Sequence, residues 1–172
     1  MEAVRGRGIA VTALVVAAGL SACEFFQKSP TAPAASPRPT TAALDIAITP
    51  DPLKILWVCP LVDTNCYGSL DSTITISETA GVGGLVDSVD FVARDSVLGV
   101  QLTQLHLSAT DIKAKVGTNR IEPLGKLAVR PIIEGYPVPA KSPRPTLVID
   151  VAVQMTDDKG NVVKKTRSAP VT

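Results

Sequence analysis

A mainly period-two spacing of apolar residues constrains the fold of this chain more than any other feature. The clearest run places Leu147, Ile149, Val151, Val153 and Met155 at every second position. Successive side chains of a β-strand point to opposite faces of a sheet, so this spacing puts all five on one face. A helix would scatter the same residues around its circumference. The segment therefore predicts a long strand with one buried face.

Shorter runs of the same period precede this strand, and a last one runs from Val162 toward Val171. Their apolar positions are Leu44, Ile46, Ile48; Leu53, Ile55, Trp57; Leu70, Ile74, Ile76; Val89, Phe91, Ala93; Val100, Leu102; Leu105, Leu107; Ile112, Ala114, Val116; and Leu127, Val129. The switch of parity between Leu102 and Leu105 predicts a bulge near Thr103-Gln104. The residues from Leu85 to Val92 also fit a helix, which stays open as an alternative.

Seven to nine short strands, frequent turn signals and no long helical pattern predict an all-β fold, an antiparallel β-sandwich spanning residues 44–172. The strand Val89–Asp95 and the turn Asp157–Asn161 resemble those of immunoglobulin or fibronectin III-type domains of bacterial envelope proteins. That resemblance implies an immunoglobulin-like sandwich. The cross-sheet cysteine pair of antibody domains is absent, so it implies no antibody-like role.

The first 23 residues have the layout of an export signal. Arg5 and Arg7 precede the apolar run Ile9–Gly19, which ends at Leu20-Ser21-Ala22-Cys23. The run is shorter than the roughly 20 residues of a spanning helix. An ordinary secretory signal followed by a chance cysteine is the alternative interpretation.

Leu20-Ser21-Ala22-Cys23 resembles the lipobox of bacterial lipoproteins. The resemblance implies that residues 1–22 are a signal peptide, that a peptidase recognising Leu20, Ser21 and Ala22 cuts before Cys23, and that Cys23 carries diacylglyceryl and acyl lipid. It implies a membrane-anchored protein of the bacterial cell envelope. Glu24, in place of the aspartate that retains enterobacterial lipoproteins at the inner membrane, favours the outer membrane.

Residues 23–43 form the predicted lipidated N-terminus and linker. Pro, Ala, Ser and Thr dominate this stretch, and it lacks apolar periodicity. Such a composition is typical of a disordered, extended tether, which at about 3.1 Å per residue reaches roughly 40 Å from the membrane.

The balance of charge argues against nucleic-acid binding. Removing residues 1–22 takes away Glu2, Arg5 and Arg7, so 15 basic and 15 acidic side chains remain. Nucleic-acid affinity depends on basic residues that neutralise phosphates, and no excess is available here.

Two cysteines remain once Cys23 carries lipid, and an exported protein enters a compartment that permits disulfides. The sequence therefore predicts a Cys59–Cys66 bridge. A metal site is the rival interpretation, but two thiols without nearby histidines make a poor zinc site, so no metal is predicted.

Three motifs have both a functional and a structural interpretation. His106 is the only histidine, so any His-dependent catalysis would need it, but no nucleophile pattern accompanies it and a solvent-facing strand residue is predicted. Asp157–Asn161 has oxygen ligands for calcium, yet it also has the residues of a hairpin turn. Gly81–Gly84 superficially resembles a phosphate loop but lacks the following Lys-Ser/Thr, so a flexible loop is predicted.

Aromatic residues supply the candidate contacts. Trp57 and Tyr67 flank the predicted disulfide, where they are either binding residues or part of the packing. Tyr136 is a weaker candidate within Glu134–Pro145, a proline-rich segment predicted to be a surface loop that shields one end or edge of the domain.

These features predict a non-catalytic, lipid-anchored envelope protein whose domain binds an envelope protein or a glycan. No cofactor is predicted apart from the covalent lipid. The alternative is a structural or assembly accessory subunit of an envelope complex, which binds by strand addition at a free sheet edge. A hydrolase is the third class, and no acid–base pair or nucleophile motif supports it.

Overall fold

The computed structural model describes residues 38–172, apart from the side chains of residues 134–136. Within this range the chain is mostly strands in antiparallel sheets, with one short helix, so the all-β prediction is confirmed. The predicted signal peptide, the lipobox with Cys23 and most of the linker lie outside the described residues. Between residues 38 and 172, no helix has both the length and the apolar character needed to cross a membrane.

The described residues form eleven strands and a helix, compared with the seven to nine strands predicted. In order they are β1 (Leu44–Thr49), β2 (Ile55–Val58), β3 (Asn65–Asp71), β4 (Thr73–Glu78), β5 (Gly84–Asp95), β6 (Gln101–Ser108), α1 (Ala109–Val116), β7 (Arg120–Ile121), β8 (Lys126–Val129), β9 (Ile132–Pro139), β10 (Leu147–Asp157) and β11 (Val162–Val171). The excess arises because one predicted strand is divided in two and because β7 and β9 lie where no strand was predicted. Ser72 alone separates β3 from β4.

The strands pair in three antiparallel sheets. The largest has the order β11-β10-β5-β6, with β7 beside the start of β5, and the other two have the orders β1-β4-β8 and β2-β3-β9. The strand predicted most strongly, β10, is central in its sheet and pairs along its length with β5 and β11. Many sheet neighbours are distant in sequence, so the chain crosses repeatedly from one sheet to another.

One hydrophobic core joins the large sheet to the β1-β4-β8 sheet. Phe91 and Val151 enter it from the large sheet, and Ile76 and Val129 enter it from the smaller one. All four side chains are at most 1% exposed. Burial of each contributes about 2 kcal/mol relative to exposure, so packing between these two faces dominates the stability of the described domain.

The strand predicted over Ile112–Val116 is wrong, because these residues lie in α1. Ser108 caps the helix and forms a capping box with Asp111, and Gly117 ends the helix with φ at 83°. The Ser108 hydroxyl and amide lower the pKa of Asp111. These caps satisfy the terminal backbone groups of the helix, and together they override the alternation of apolar residues.

The predicted bulge in β6 and the predicted proline-rich loop have different outcomes. The predicted bulge is present, since the register of β6 against β5 shifts at Leu102, next to the expected position. The predicted Glu134–Pro145 loop is wrong over its first half, because Pro137 and Pro139 lie in β9. Ala140 donates to the carbonyl of Thr64 at 2.8 Å, which turns the nitrogens of the two prolines away from β3. Proline is tolerated there because β9 is an edge strand.

Candidate functional site

The β2–β3 hairpin contains the predicted disulfide between Cys59 and Cys66. The bridge closes a short loop at the tip of the hairpin, where the Asp63 amide donates to the Pro60 carbonyl. Across residues 38–172, no group of three or more histidine, cysteine or acidic side chains is placed to hold a metal ion. The hairpin tip is therefore covalently closed, and its loop conformation is restricted.

Trp57 packs within this hairpin on the face that also carries Cys66. It lies opposite Gly68, where an added Cβ would approach the indole to 3.1 Å, so the glycine leaves room for the ring. The Arg144 guanidinium lies 4.9 Å from the centre of the Trp57 ring and donates to the Cys66 sulfur at 2.8 Å. The half-buried Trp57 thus holds the loop that follows β9 against the disulfide.

Tyr67 lies on the opposite face of the hairpin, where it pairs with Val58. Its hydroxyl donates to the Asp63 carboxylate, which also accepts the Asn65 amide at 3.0 Å. The Tyr67 hydroxyl and the backbone amide of Asn65 lower the pKa of Asp63, and the same carboxylate raises the pKa of Tyr67. These bonds fix the loop between the two cysteines.

Tyr136 lies in β9 with its backbone opposite Gly68. The structure therefore places Trp57, Tyr67 and the backbone of Tyr136 in the β2-β3-β9 sheet, together with the disulfide. The Tyr136 side chain lies outside the described residues, and the possible contact role of all three aromatic residues stays a prediction.

Two aliphatic pairs that the sequence did not single out are the most exposed large apolar residues of the described domain. Leu61 and Val62, inside the disulfide loop, are fully exposed, and Val97 and Leu98 at the β5–β6 turn are 79% and 73% exposed. Val58 and Val100, next to these pairs, are each more than half exposed. Neighbouring exposed apolar residues of this kind mark candidate interaction surfaces.

Residues 140–146 connect the two exposed tips. Ala140 and Arg144 bind the disulfide hairpin through Thr64 and the two sulfurs, and the carbonyl of Thr146 accepts the Ser96 amide at 2.7 Å. We call the surface made by the exposed side chains of both tips the apolar end. It consists of Val58, Leu61, Val62, Val97, Leu98 and Val100. The sequence carried a signal for two of its six residues, since Leu61 and Val62 lie inside an eight-residue disulfide loop that is too short to bury them.

The glycine-rich loop lies at the other end of β5, and its amides bind an internal carboxylate. Glu78 is 2% exposed and accepts five backbone N–H groups within 3.2 Å. The donors are Ala43, Ala80, Gly81, Val82 and Leu124. Burial raises the pKa of Glu78, but the amides together outweigh this effect, so its pKa is lowered. The loop is therefore structural, and the carboxylate takes the position that a phosphate would need.

A shallow cavity of about 530 Å³ adjoins this loop and is lined in part by Asp158 and Lys159. Asp158 makes a bidentate ion pair with Arg120, with both oxygens at 2.9 Å. This carboxylate and the neighbouring loop amides are already paired, so they are not available to a ligand in the cavity.

Asp157–Asn161 forms the turn between β10 and β11. The buried Asp157 carboxylate accepts the amides of Ala42, Lys159 and Asn161, and Gly160 has φ of 84°. Burial alone would raise the pKa of Asp157. The hydrogen bonds from these amides and from the Asn161 side chain outweigh that effect and lower the pKa to about 2. The structure therefore supports the turn interpretation, because backbone amides already occupy the Asp157 carboxylate oxygens that calcium would need.

His106 lies on the outer face of β6 and is exposed, as predicted. It pairs with the Asp90 carboxylate of the neighbouring strand. Both side chains are about half exposed, so the pair is a cross-strand surface contact.

Comparison with known proteins gives a fold but no family. No family model matches the chain, and no curated protein matches it. The X-ray structure of Northeast Structural Genomics Consortium target SoR45 has a TM-score of 0.54 at 11% identity, over 75% of this chain and 86% of that one. This likeness shows a shared fold.

Two other solved structures are more distant. The ApaA protein from Bordetella pertussis has a TM-score of 0.48 at 12% identity, over 76% of this chain and 94% of that one. The Pseudomonas fluorescens alkylpurine DNA glycosylase AlkC, solved on DNA containing an abasic site analogue, has a TM-score of 0.36 at 13% identity, over 74% of this chain and 30% of that one. Neither likeness is high enough to support an argument about this chain.

Proposed function

We propose that this chain is a non-catalytic, lipid-anchored protein of the bacterial envelope, with the outer membrane favoured, and that its domain binds a protein partner through the apolar end. The observation that carries the proposal is the exposure of Leu61, Val62, Val97 and Leu98 on two tips that a single loop connects. Leaving these side chains in water is unfavourable, and a partner that covers them gains about 1.5–3 kcal/mol for each one it fully buries.

An immunoglobulin-like sandwich is the architecture that we propose for the domain. Two antiparallel sheets share one core, and strands distant in sequence are neighbours in both, as in the sandwiches of that class. The ends of such a sandwich carry its loops, which are the usual sites of recognition. The apolar end is one of these ends.

Lipid anchoring rests on Leu20-Ser21-Ala22-Cys23 and on the linker that follows it. Two or three acyl chains on Cys23 would anchor the protein firmly, and the linker would hold the domain away from the membrane. Anchoring raises the local concentration of the domain near an envelope partner, so a moderate affinity suffices for binding.

A protein partner fits the apolar end better than a glycan does. The side chains at its two tips are aliphatic, and burial of aliphatic surface drives association between proteins. The Cys59–Cys66 bridge and the Asp63 hydrogen bonds hold one tip in a fixed conformation, which lowers the entropy lost on binding.

The double variant Leu61→Ser, Val62→Ser tests this surface. If each substitution removes about 1.5 kcal/mol of apolar burial, affinity for the partner falls about 100-fold. The measurement is recovery of the partner with the detergent-solubilised lipoprotein after crosslinking in intact cells. Unfolding of the variant should be unchanged, because both side chains already face solvent.

The matched control is Leu85→Ser, Val162→Ser. Leu85 and Val162 are also exposed, both pair with Thr156, and they lie at the opposite end of β5. This variant should retain the partner. Equal loss of the partner in both double variants would contradict a specific role for the apolar end.

A further inference from the structure

The edge strands of the described sheets differ sharply in how they are protected. An unprotected edge presents unpaired N–H and C=O groups to any other strand, and proteins block such edges with charges, prolines, short strands or covering segments. Of the edge strands in the described residues, six carry a device of this kind, among them the two-residue β7.

The edge strand β11 is blocked in its middle and at its far end. Lys165 and Arg167 pair with the buried Val153 and Val151, so these charged residues occupy core-face positions of an edge strand. At the far end, backbone bonds from the segment before β2 cover the edge, including Thr172 to the Leu53 carbonyl at 2.8 Å. Another strand cannot add to β11 without displacing this segment or burying charge.

The smaller sheets have short or interrupted edges. β2 and β8 have four residues each, and β1 has six with an exposed Asp45. In β9, Pro137 and Pro139 remove two donors on the side facing away from β3.

The edge strand β6 is not short and carries no charge or proline, and β9 approaches it without pairing with it. Strand β6 has eight residues, Gln-Leu-Thr-Gln-Leu-His-Leu-Ser, without Lys, Arg, Asp, Glu or Pro. Within residues 38–172, no strand pairs with its outer side. Leu105 lies on the core face opposite Phe91 but is only partly buried, because the sheet stops there.

We infer that β6 pairs antiparallel with β6 of a second copy of this chain and forms a two-fold dimer. If the two-fold axis passes through Leu105, the Leu105 residues of the two copies lie directly opposite each other. The core-face residues Thr103 and Leu107 then oppose each other, as do the outer-face residues Gln104 and His106. No like charges meet in this register, because the strand has no permanently charged residue.

A second copy fits this edge for two further reasons. The full chain has a formal net charge of +1, so two copies repel each other little at long range. Both copies contribute the same strand to a two-fold interface, so each β6 edge is fully used by the other copy. Because the β11 edge is blocked, no further copy can add to the sheet and assembly stops at the dimer. The result is one continuous sheet with β11 at both ends.

The test is the mass of the full chain in detergent micelles, measured by light scattering that corrects for detergent. We expect two copies per particle for the wild type and one for Leu105→Lys, which places in β6 the inward charge that β11 already carries. The matched control Val163→Lys, on the core face of β11, should remain dimeric. Unchanged circular dichroism and melting temperature would show that both variants are folded.

A cysteine scan in intact cells keeps the inference testable if Leu105→Lys fails to fold. Oxidation of Leu105→Cys should give a product of twice the chain mass on a non-reducing gel, and Val163→Cys should give none. A monomeric wild type, a dimer that survives Leu105→Lys, or a Leu105→Cys product with a different protein would each overturn self-pairing through β6.

Discussion

Replacing Glu78 with alanine is expected to lower the free energy of unfolding by about 4 kcal/mol. The substitution leaves five backbone N–H groups without their acceptor in a site where the wild-type side chain is 2% exposed. Those groups come from three separate segments, around residues 43, 80–82 and 124. Their loss therefore loosens several connections at once. Urea unfolding of the full chain in detergent measures the change.

Glu78→Gln and Glu122→Ala are the comparisons. Gln keeps the shape and one carbonyl oxygen but turns an NH₂ group toward N–H donors, so a loss of about 2 kcal/mol is expected. Glu122 is exposed and makes a surface ion pair with Arg120, so its removal should change stability by less than about 1 kcal/mol. If Glu78→Ala were no more destabilising than Glu122→Ala, the carboxylate would not be structural.

The same carboxylate gives the domain a defined response to acid. Its pKa is lower in the folded chain than in the unfolded one, so it stabilises the fold above the unfolded value of about 4.3. That contribution is lost as the pH falls through the lowered pKa. Asp157 acts in the same direction down to about pH 2. Wild-type stability should therefore decline more steeply than that of Glu78→Gln as the pH falls below about 4.

Replacing Cys23 with alanine is expected to move nearly all of the protein from the membrane fraction to the soluble fraction. Under the lipobox proposal, Cys23 carries every acyl chain, and each buried methylene contributes about 0.8 kcal/mol. Metabolic labelling with a fatty acid, followed by membrane fractionation, measures both the lipid and the location.

The double variant Cys59→Ala, Cys66→Ala is the control for cysteine loss in general. These residues form the internal bridge, so this variant should keep its lipid label and its membrane association. A wild-type protein without label, or a labelled Cys23→Ala variant, would contradict lipidation at Cys23.

The sequence predicted the central strands because burial on one face leaves a period of two. In β10 every second residue from Leu147 to Met155 is buried, and the positions between them, which include Asp150 and Gln154, lie on the other face and are only partly buried. The same logic failed at α1. There, the run has only three apolar positions, too few to establish a period, and within the helix only Ile112 is buried. The capping residues Ser108, Asp111 and Gly117 were the better local signal.

The Glu78 site could not be predicted because its donors come together only in three dimensions. Leu124 lies 46 positions away in sequence and Ala43 lies 35 away, and no pattern connects them to a glutamate at a strand end. The apolar end is similar. Nothing in the sequence distinguishes Val97 and Leu98 from apolar residues of the core. They are exposed because the sheet ends at the β5–β6 turn.

Site-specific photo-crosslinking in intact cells tests the proposed function most directly. A benzophenone amino acid is placed at position 61 in the disulfide loop or, as the control, at position 162 on β11. We expect illumination to link position 61 to one discrete envelope protein and position 162 to give no such product. Absence of any product from position 61, or the same products from both positions, would contradict partner binding through the apolar end.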